Sequence, residues 1–135
     1  FTQVVRRYSE TADMPVMHRM NSENAAVIMN YIIDHYADCT LESISDYLHF
    51  STQYTSRFIK SAIGLSFSGL LTEIRLQKAK NLLVSTPMKI DDISEHLGYA
   101  NTETLIRVFK RMIGVTPSAY RREYNALHSG EPFIR

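Results

Sequence analysis

The chain has 135 residues, of which 44% are apolar and 21% are charged, and its formal net charge is +1. This composition predicts one compact globular unit or two very small ones, and it excludes a disordered chain. No apolar run approaches the ~20 residues of a membrane span and no signal peptide is visible, so we expect a cytoplasmic protein. A single cysteine, Cys39, excludes an internal disulfide.

The N-terminal part of the chain predicts a linker and then a first helix. Residues 1–21 show no regular period and are interpreted as a linker or the remnant of an upstream domain. From Ser22 the apolar residues recur at helical spacing, which predicts a helix that ends near Asp38. Because the chain begins at Phe1 rather than methionine, we expect it to be part of a longer protein.

Residues 41–63 predict two short helices separated by a tight turn, which is the order of a helix-turn-helix. Thr40 is a suitable N-cap for the first helix, and Ser51 is a suitable N-cap for the second, over residues 52–63. His49 lies in the turn, where a left-handed backbone is expected, and histidine tolerates that conformation better than most residues.

The longest predicted helix covers about residues 66–85 and joins this unit to the next. At ~1.5 Å per residue it is about 30 Å long, close to the ~34 Å between successive major grooves on one side of B-DNA. Its apolar residues point in two directions about 140° apart, so we expect each half to pack on a different unit. The two groups are Phe67, Leu70, Leu71 and Ile74, and then Leu76, Ala79, Leu82 and Leu83.

The helix-turn-helix pattern occurs a second time over about residues 90–113. The sequence IDDISEHLGY at 90–99 matches LESISDYLHF at 41–50, and RVFKRMIGVTPSAYR matches RFIKSAIGLSFSGLL at 57–71. A unit of roughly 30 residues is therefore duplicated, and the first copy and the second copy are each predicted to be a helix-turn-helix. Gly98 lies in the turn of the second copy, at the place equivalent to His49, and it can take the left-handed backbone without steric cost.

A final helix is predicted to begin at Pro117, with Thr116 as its N-cap, and to end near His128. Residues 129–135 are expected to form a loose tail. The predicted fold class is all-α, with about seven helices over residues 22–128 in two helix-turn-helix subdomains joined by a long helix.

Acidic and basic residues alternate along the chain in step with the repeat. Residues 22–56 contain five acids and no lysine or arginine, whereas residues 57–80 contain five basic residues and one acid. Residues 81–100 are again acidic, and residues 101–124 contain five basic residues and two acids. Each basic segment begins in the second helix of a copy. This coincidence favours a surface that binds a polyanion over the alternative, in which the charges lie on unrelated solvated helix surfaces.

The second helix of each copy has a predicted apolar face and a predicted polar face. The expected inward residues are Thr55, Phe58, Ile59 and Ala62 in the first copy and Leu105, Val108, Phe109 and Met112 in the second. The expected outward residues are Gln53, Ser56, Arg57, Lys60 and Ser61 in the first copy and Glu103, Ile106, Arg107, Lys110 and Arg111 in the second.

These polar faces suit the major groove of DNA, where arginine binds guanine, glutamine binds adenine and an apolar side chain contacts the thymine methyl. Arg57 and Arg107 could instead form surface ion pairs, but their recurrence at one offset favours DNA contact. Glu103 either accepts from cytosine or lies at the rim of the interface. Candidates for phosphate contact are the polar residues at helix ends, Thr40, Ser51, Lys60, Asn101, Thr104, Lys110 and Arg111.

Three segments resemble the C-terminal DNA-binding domain of the AraC/XylS transcription regulators. They are RLQKAKNLL at 75–83, DISEHLGY at 92–99 and RVFKRMIGVTPSAYR at 107–121, and the resemblance covers about residues 22–124. It implies a homeodomain-like arrangement of two helix-turn-helix subdomains whose recognition helices enter adjacent segments of the major groove. The chain departs from the family at Ser45 and Ser94, where alanine is usual, and these changes are expected to affect packing more than base reading.

The resemblance also implies site residues and partners. It suggests an activator that binds a promoter, contacts RNA polymerase and receives an effector signal through a separate N-terminal domain, with no cofactor. The base-contacting positions of the family correspond to Gln53, Ser56 and Arg57 in the first copy and to Thr102, Glu103, Ile106 and Arg107 in the second.

Other functions are less favoured. Some relatives of this fold are joined to DNA-repair alkyl transfer, which requires a reactive cysteine, but Cys39 is flanked by Asp38 and Glu42, which disfavour a thiolate. His35 and Cys39 are spaced to provide only two metal ligands. We therefore expect neither an enzyme nor a metal site, and the alternative is a protein-interaction module of the same fold without specific DNA binding.

Overall fold

A computed structural model describes residues 22–129, which form seven α-helices and no strand. The predicted all-α class is therefore confirmed for this part of the chain. The predictions for residues 1–21 and 130–135 lie outside the described residues. The helices are α1 (Ser22–Asp34), α2 (Leu41–Leu48), α3 (Thr52–Ile63), α4 (Phe67–Ser85), α5 (Ile90–Leu97), α6 (Thr102–Ile113) and α7 (Pro117–Leu127).

The predicted helix limits agree with the structure to within about one residue, except at the end of α1. This helix was expected to reach Asp38, but it ends at Asp34. The backbone N–H groups of Asp38 and Cys39 both donate to the carbonyl of His35, at 3.1 and 2.8 Å, and close a separate turn. None of the helices between residues 22 and 129 has the length and apolar character required to cross a membrane.

The chain divides into two compact units, with the boundary inside α4 between Thr72 and Glu73. In the first unit, Thr40 and Ser43 form a reciprocal cap at the start of α2. The side-chain oxygen of each residue accepts from the backbone N–H of the other residue, at 3.0 Å in both bonds. The buried apolar side chains of this unit are Ala25, Ile28, Ile32, Cys39, Ile44, Tyr54, Phe58, Ile59, Ala62 and Leu70.

In the second unit, the rest of α4 contributes Leu76, Ala79 and Leu83 to the core. The core is completed by Ile93 and Leu97 of α5 and by Leu105, Val108 and Phe109 of α6, and burial of each such side chain stabilises the fold by roughly 1.5 to 3 kcal/mol. The ring of Phe109 meets that of Tyr120 edge to face, with the centroids 5.6 Å apart, and this contact packs α7 on α6.

The two tight turns have the left-handed backbone that the sequence predicts. His49 has φ 62° and Gly98 has φ 95°, and each residue ends the first helix of its copy. In both copies the backbone N–H of the following residue donates to a carbonyl of the helix that has just ended. Phe50 donates to the carbonyl of Ser45 at 3.0 Å, and Tyr99 donates to that of Ser94 at 3.2 Å. These bonds close the helix C-terminus, so the second helix can begin within a few residues.

Ser45 and Ser94 occupy equivalent buried positions but differ in hydrogen bonding. The Ser94 hydroxyl donates to the carbonyl of Asn101 at 3.1 Å, whereas the Ser45 hydroxyl has no partner among the described residues. Because an unpaired buried hydroxyl costs about 1 to 3 kcal/mol, we expect Ser45→Ala to raise the free energy of unfolding by ~1 kcal/mol. We expect Ser94→Ala to lower it by ~1 kcal/mol, because the bond to Asn101 is lost.

Denaturant titration of the two variants, followed by circular dichroism, measures both changes. Each variant is the matched control of the other, since the substitution, the burial and the place in the repeat are the same. A fall in the free energy of unfolding for both variants would contradict the assignment of Ser45 as the unsatisfied position.

Candidate nucleic-acid interface

The recognition helix of the first unit is α3, and its two faces are as predicted. Thr55, Phe58, Ile59 and Ala62 are all buried, with at most 1% of their surface exposed. On the opposite face Ser56 is half-buried, and Gln53, Arg57, Lys60 and Ser61 are exposed.

The polar residues at the N-termini of α2 and α3 serve as helix caps. Thr40 accepts from the N–H of Ser43, and Ser51 accepts from that of Tyr54 at 3.1 Å. Both capping residues are exposed. A hydroxyl that accepts from a helix N–H keeps its own hydrogen, so capping is compatible with donation to a phosphate oxygen.

The recognition helix of the second unit is α6, and its predicted faces hold with one exception. Glu103, Arg107, Lys110 and Arg111 are exposed, as is Ile106. The expected inward residues Leu105 and Phe109 are fully buried, and Val108 is 9% exposed.

Met112 was predicted to be buried, but 48% of its surface is exposed. It lies in the direction of the buried stripe, one turn beyond Val108 and Phe109. Its exposure therefore reflects its place in the last turn of α6, which ends at Ile113.

The N-terminus of α6 contains a network that fixes which groups donate. Asn101 caps the helix, and its Oδ1 accepts from the N–H of Thr104 at 2.9 Å and from the Thr104 hydroxyl at 2.8 Å. An amide oxygen only accepts, so the single hydroxyl hydrogen of Thr104 is used in this bond. The Nδ2 group of Asn101 supplies the donors at this end of the helix, whereas Thr104 would have to release Asn101 before it could donate to phosphate.

A separate side-chain hydrogen bond at this end of α6 was not expected from the sequence. The hydroxyl of Thr102 donates to Oδ1 of Asp91, in the first turn of α5, at 2.9 Å. Eleven residues separate the two partners. No helical period or capping pattern relates positions so far apart, so periodicity could not have identified Asp91.

Two of the basic residues serve the fold of the second unit. Arg121 donates from Nε to the carbonyl of Leu83 at 2.9 Å and from Nη2 to that of Thr86 at 3.1 Å, which closes the C-terminus of α4. Burial lowers the pKa of its guanidinium. The guanidinium of Arg75 lies 5.1 Å from the centre of the Tyr99 ring, a cation–π contact.

The side chain of Tyr99 is partly buried. Burial raises the pKa of its phenol, and the positive charge of Arg75 partly opposes that rise. Arg75 and Arg121 lie outside the two recognition helices. The exposed positive charge of α3 and α6 comes from Arg57, Lys60, Arg107, Lys110 and Arg111.

The other candidate chemistry gains no support. Cys39 is not part of a disulfide and only 6% of its surface is exposed, and burial of this kind is typical of a structural cysteine. His35 places Nδ1 2.9 Å from the carbonyl of Tyr31. Within the described range no group of three or more histidine, cysteine, aspartate or glutamate side chains is placed to hold a metal ion.

Comparison with known proteins gives consistent results. A family model described as a helix-turn-helix domain matches residues 44–123. The chain is 34% identical over 106 residues to the uncharacterized HTH-type transcriptional regulator YtdP of Bacillus subtilis, covering 78% of this chain and 14% of that protein. It therefore spans only a small part of that relative.

Two solved structures are also similar. The C-terminal domain of AraT, a response regulator from Geobacillus stearothermophilus, is 40% identical with a TM-score of 0.68, covering 81% of this chain and 85% of that one. The DNA-binding domain of AdpA, solved with a target DNA, has a TM-score of 0.74 and covers 78% of this chain and 96% of that one. Its 22% identity supports the fold alone. The matched family model covers more than half of the chain, which thus belongs to the AraC-type helix-turn-helix family of DNA-binding domains.

Proposed function

We propose that this chain is the sequence-specific DNA-binding part of a transcription regulator, and that α3 and α6 read two adjacent segments of the major groove. The main support is the recurrence of an exposed arginine, Arg57 and Arg107, at the same offset in the two recognition helices. Each arginine projects from a helix whose opposite face is buried, so its backbone is held rigidly while the side chain remains accessible.

The proposed base contacts follow from the chemistry of the outward faces. Arg57 and Arg107 suit the two acceptors of guanine, and Gln53 suits adenine. Ile106, with 36% of its surface exposed, provides the apolar contact that a thymine methyl requires. The remaining proposed base contacts are Ser56, Thr102 and Glu103.

The proposed phosphate contacts combine charge with neutral donors. Lys60, Lys110 and Arg111 are exposed and provide the electrostatic attraction. Asn101 provides its Nδ2 donors, and the capping hydroxyls of Thr40 and Ser51 provide one hydrogen each. Thr104 is the weakest of the proposed phosphate contacts, because its hydrogen is donated to Asn101.

The wider role of the protein is also a proposal. The relatives are named as transcriptional regulators, and this supports a cytoplasmic regulator that binds a promoter. We propose that it acts as an activator through contact with RNA polymerase and that a separate domain senses its effector. Because the relatives are named as transcriptional regulators, we propose no enzymatic role for this chain.

Selection from a pool of random DNA duplexes tests the proposed function. We expect repeated rounds of binding and amplification to enrich one motif with two blocks of preferred bases, one for each recognition helix. The matched control is a variant in which Arg57 and Arg107 are both alanine. A wild-type pool that stays random would contradict the proposal and favour a protein-interaction module.

A further inference from the structure

The bond between Thr102 and Asp91 controls which hydrogen-bonding role Thr102 can take towards DNA. The donor–acceptor distance is 2.9 Å, and a carboxylate oxygen only accepts, so the hydrogen of this pair belongs to the Thr102 hydroxyl. A hydroxyl has one hydrogen. While this bond persists, Thr102 Oγ1 can accept a hydrogen bond from another group but cannot donate one.

The position of Thr102 makes this restriction relevant to base reading. Thr102 is the first residue of α6, and in helix-turn-helix proteins the N-terminal residues of the recognition helix contact base edges. In the major groove adenine N6 and cytosine N4 donate, whereas guanine N7 and O6 and thymine O4 accept. A threonine hydroxyl without constraint is compatible with both classes of base.

We propose that Asp91 is a specificity-determining positioning residue, which acts through Thr102 and makes it selective for a base that donates from an amino group. This inference rests on the proposed function, because it requires α6 to lie in the major groove. Asp91 needs no DNA contact of its own. Its carboxylate accepts the hydrogen of the Thr102 hydroxyl, so the lone pairs of Thr102 Oγ1 remain to accept from adenine N6 or cytosine N4. Opposite guanine or thymine, Thr102 Oγ1 would face another acceptor, and no hydrogen bond could form.

The test measures affinity for four duplexes that differ only at the base pair read by Thr102. That pair is identified as the position where Thr102→Val removes a base preference of the wild-type protein. We expect the wild type to prefer adenine or cytosine on the contacted strand over guanine or thymine by about tenfold. We expect Asp91→Ala to reduce this preference to about twofold or less, because the freed hydroxyl can also donate.

Two controls separate this role from electrostatics and from folding. Asp92→Ala removes the adjacent exposed charge of the same helix, and it should change the affinity for all four duplexes by one common factor. In the Thr102→Val background, Asp91→Ala should likewise act equally on all four duplexes. Because Asp91 is exposed, the variant is expected to fold, and its thermal melting curve verifies this.

The possible outcomes distinguish the inference from the proposed function. If Asp91→Ala keeps the tenfold preference while the wild type remains sequence-specific, the inference is wrong and the proposed function stands. If Asp91→Ala changes the base preference to the same degree in the wild type and in the Thr102→Val background, the inference is also wrong. If the wild type prefers no base at any position, the proposed function itself fails.

Discussion

Replacing Arg107 by alanine is expected to weaken binding to the selected duplex by ~1 to 3 kcal/mol, while binding to unrelated duplexes changes little. Arg107 is exposed on the outward face of α6, and the helix behind it is anchored by the fully buried Leu105 and Phe109. A rigid helix can hold the guanidinium in the geometry that binds both acceptors of guanine. Fluorescence anisotropy titration of labelled duplexes measures the change.

The matched control for this variant is Arg122→Ala. It also removes one exposed arginine, but from α7 rather than from a recognition helix. We expect it to have a small effect of equal size on selected and unrelated duplexes. If Arg107→Ala weakened all duplexes to the same degree, Arg107 would be a phosphate contact and the proposed base reading by α6 would lose its main residue.

Raising monovalent salt from about 50 to about 200 mM is expected to weaken binding by roughly 40-fold. The estimate assigns one phosphate to each of Lys60, Lys110 and Arg111, the exposed cations among the proposed phosphate contacts. Each neutralised phosphate releases counterions and contributes about −0.9 to the slope of log affinity against log salt. Isothermal titration calorimetry or anisotropy at several salt concentrations gives the slope.

Lys110→Ala tests the origin of that slope. It should reduce the magnitude of the slope by about 1 and weaken all duplexes similarly, since a phosphate contact carries no sequence information. Ile106→Ala on the same helix is the uncharged control, and it should leave the slope unchanged. A slope near zero for the wild type would mean that the exposed cations do not contact DNA.

Much of the fold follows from short-range patterns in the sequence. Thr40, Ser51 and Thr116 are local N-caps, and the structure shows each side chain accepting from an N–H three residues later. His49 and Gly98 end helices in the left-handed conformation for equally local reasons. Patterns of this kind span only a few residues, so they can be recognised without knowledge of the tertiary contacts.

Local patterns were misleading where a helix ends. The apolar Tyr36 continues the period of α1, but the carbonyl of His35 instead closes a turn, and no local residue signals that choice. Met112 continues the stripe of α6 for one more turn, and its side chain is nevertheless half exposed. Periodicity gives the direction of a side chain, but burial also needs another element to cover it.

The contacts that refine the candidate site join distant parts of the sequence. Arg121 reaches carbonyls 35 and 38 residues away, so a residue counted in a basic segment proved to close a helix. Asp91, counted in an acidic segment, accepts the hydroxyl hydrogen of Thr102. The sequence therefore predicted which faces of α3 and α6 are exposed, whereas the roles of donors and acceptors within the candidate site required coordinates.

The most direct measurement is to repeat the duplex selection with the wild type, Arg57→Ala and Arg107→Ala in parallel. If α3 and α6 each read their own segment of DNA, Arg57→Ala should lose base preference in one block of the motif and Arg107→Ala in the other. Loss of preference at the same positions in both variants, or at no position in either, would contradict recognition by two separate helices.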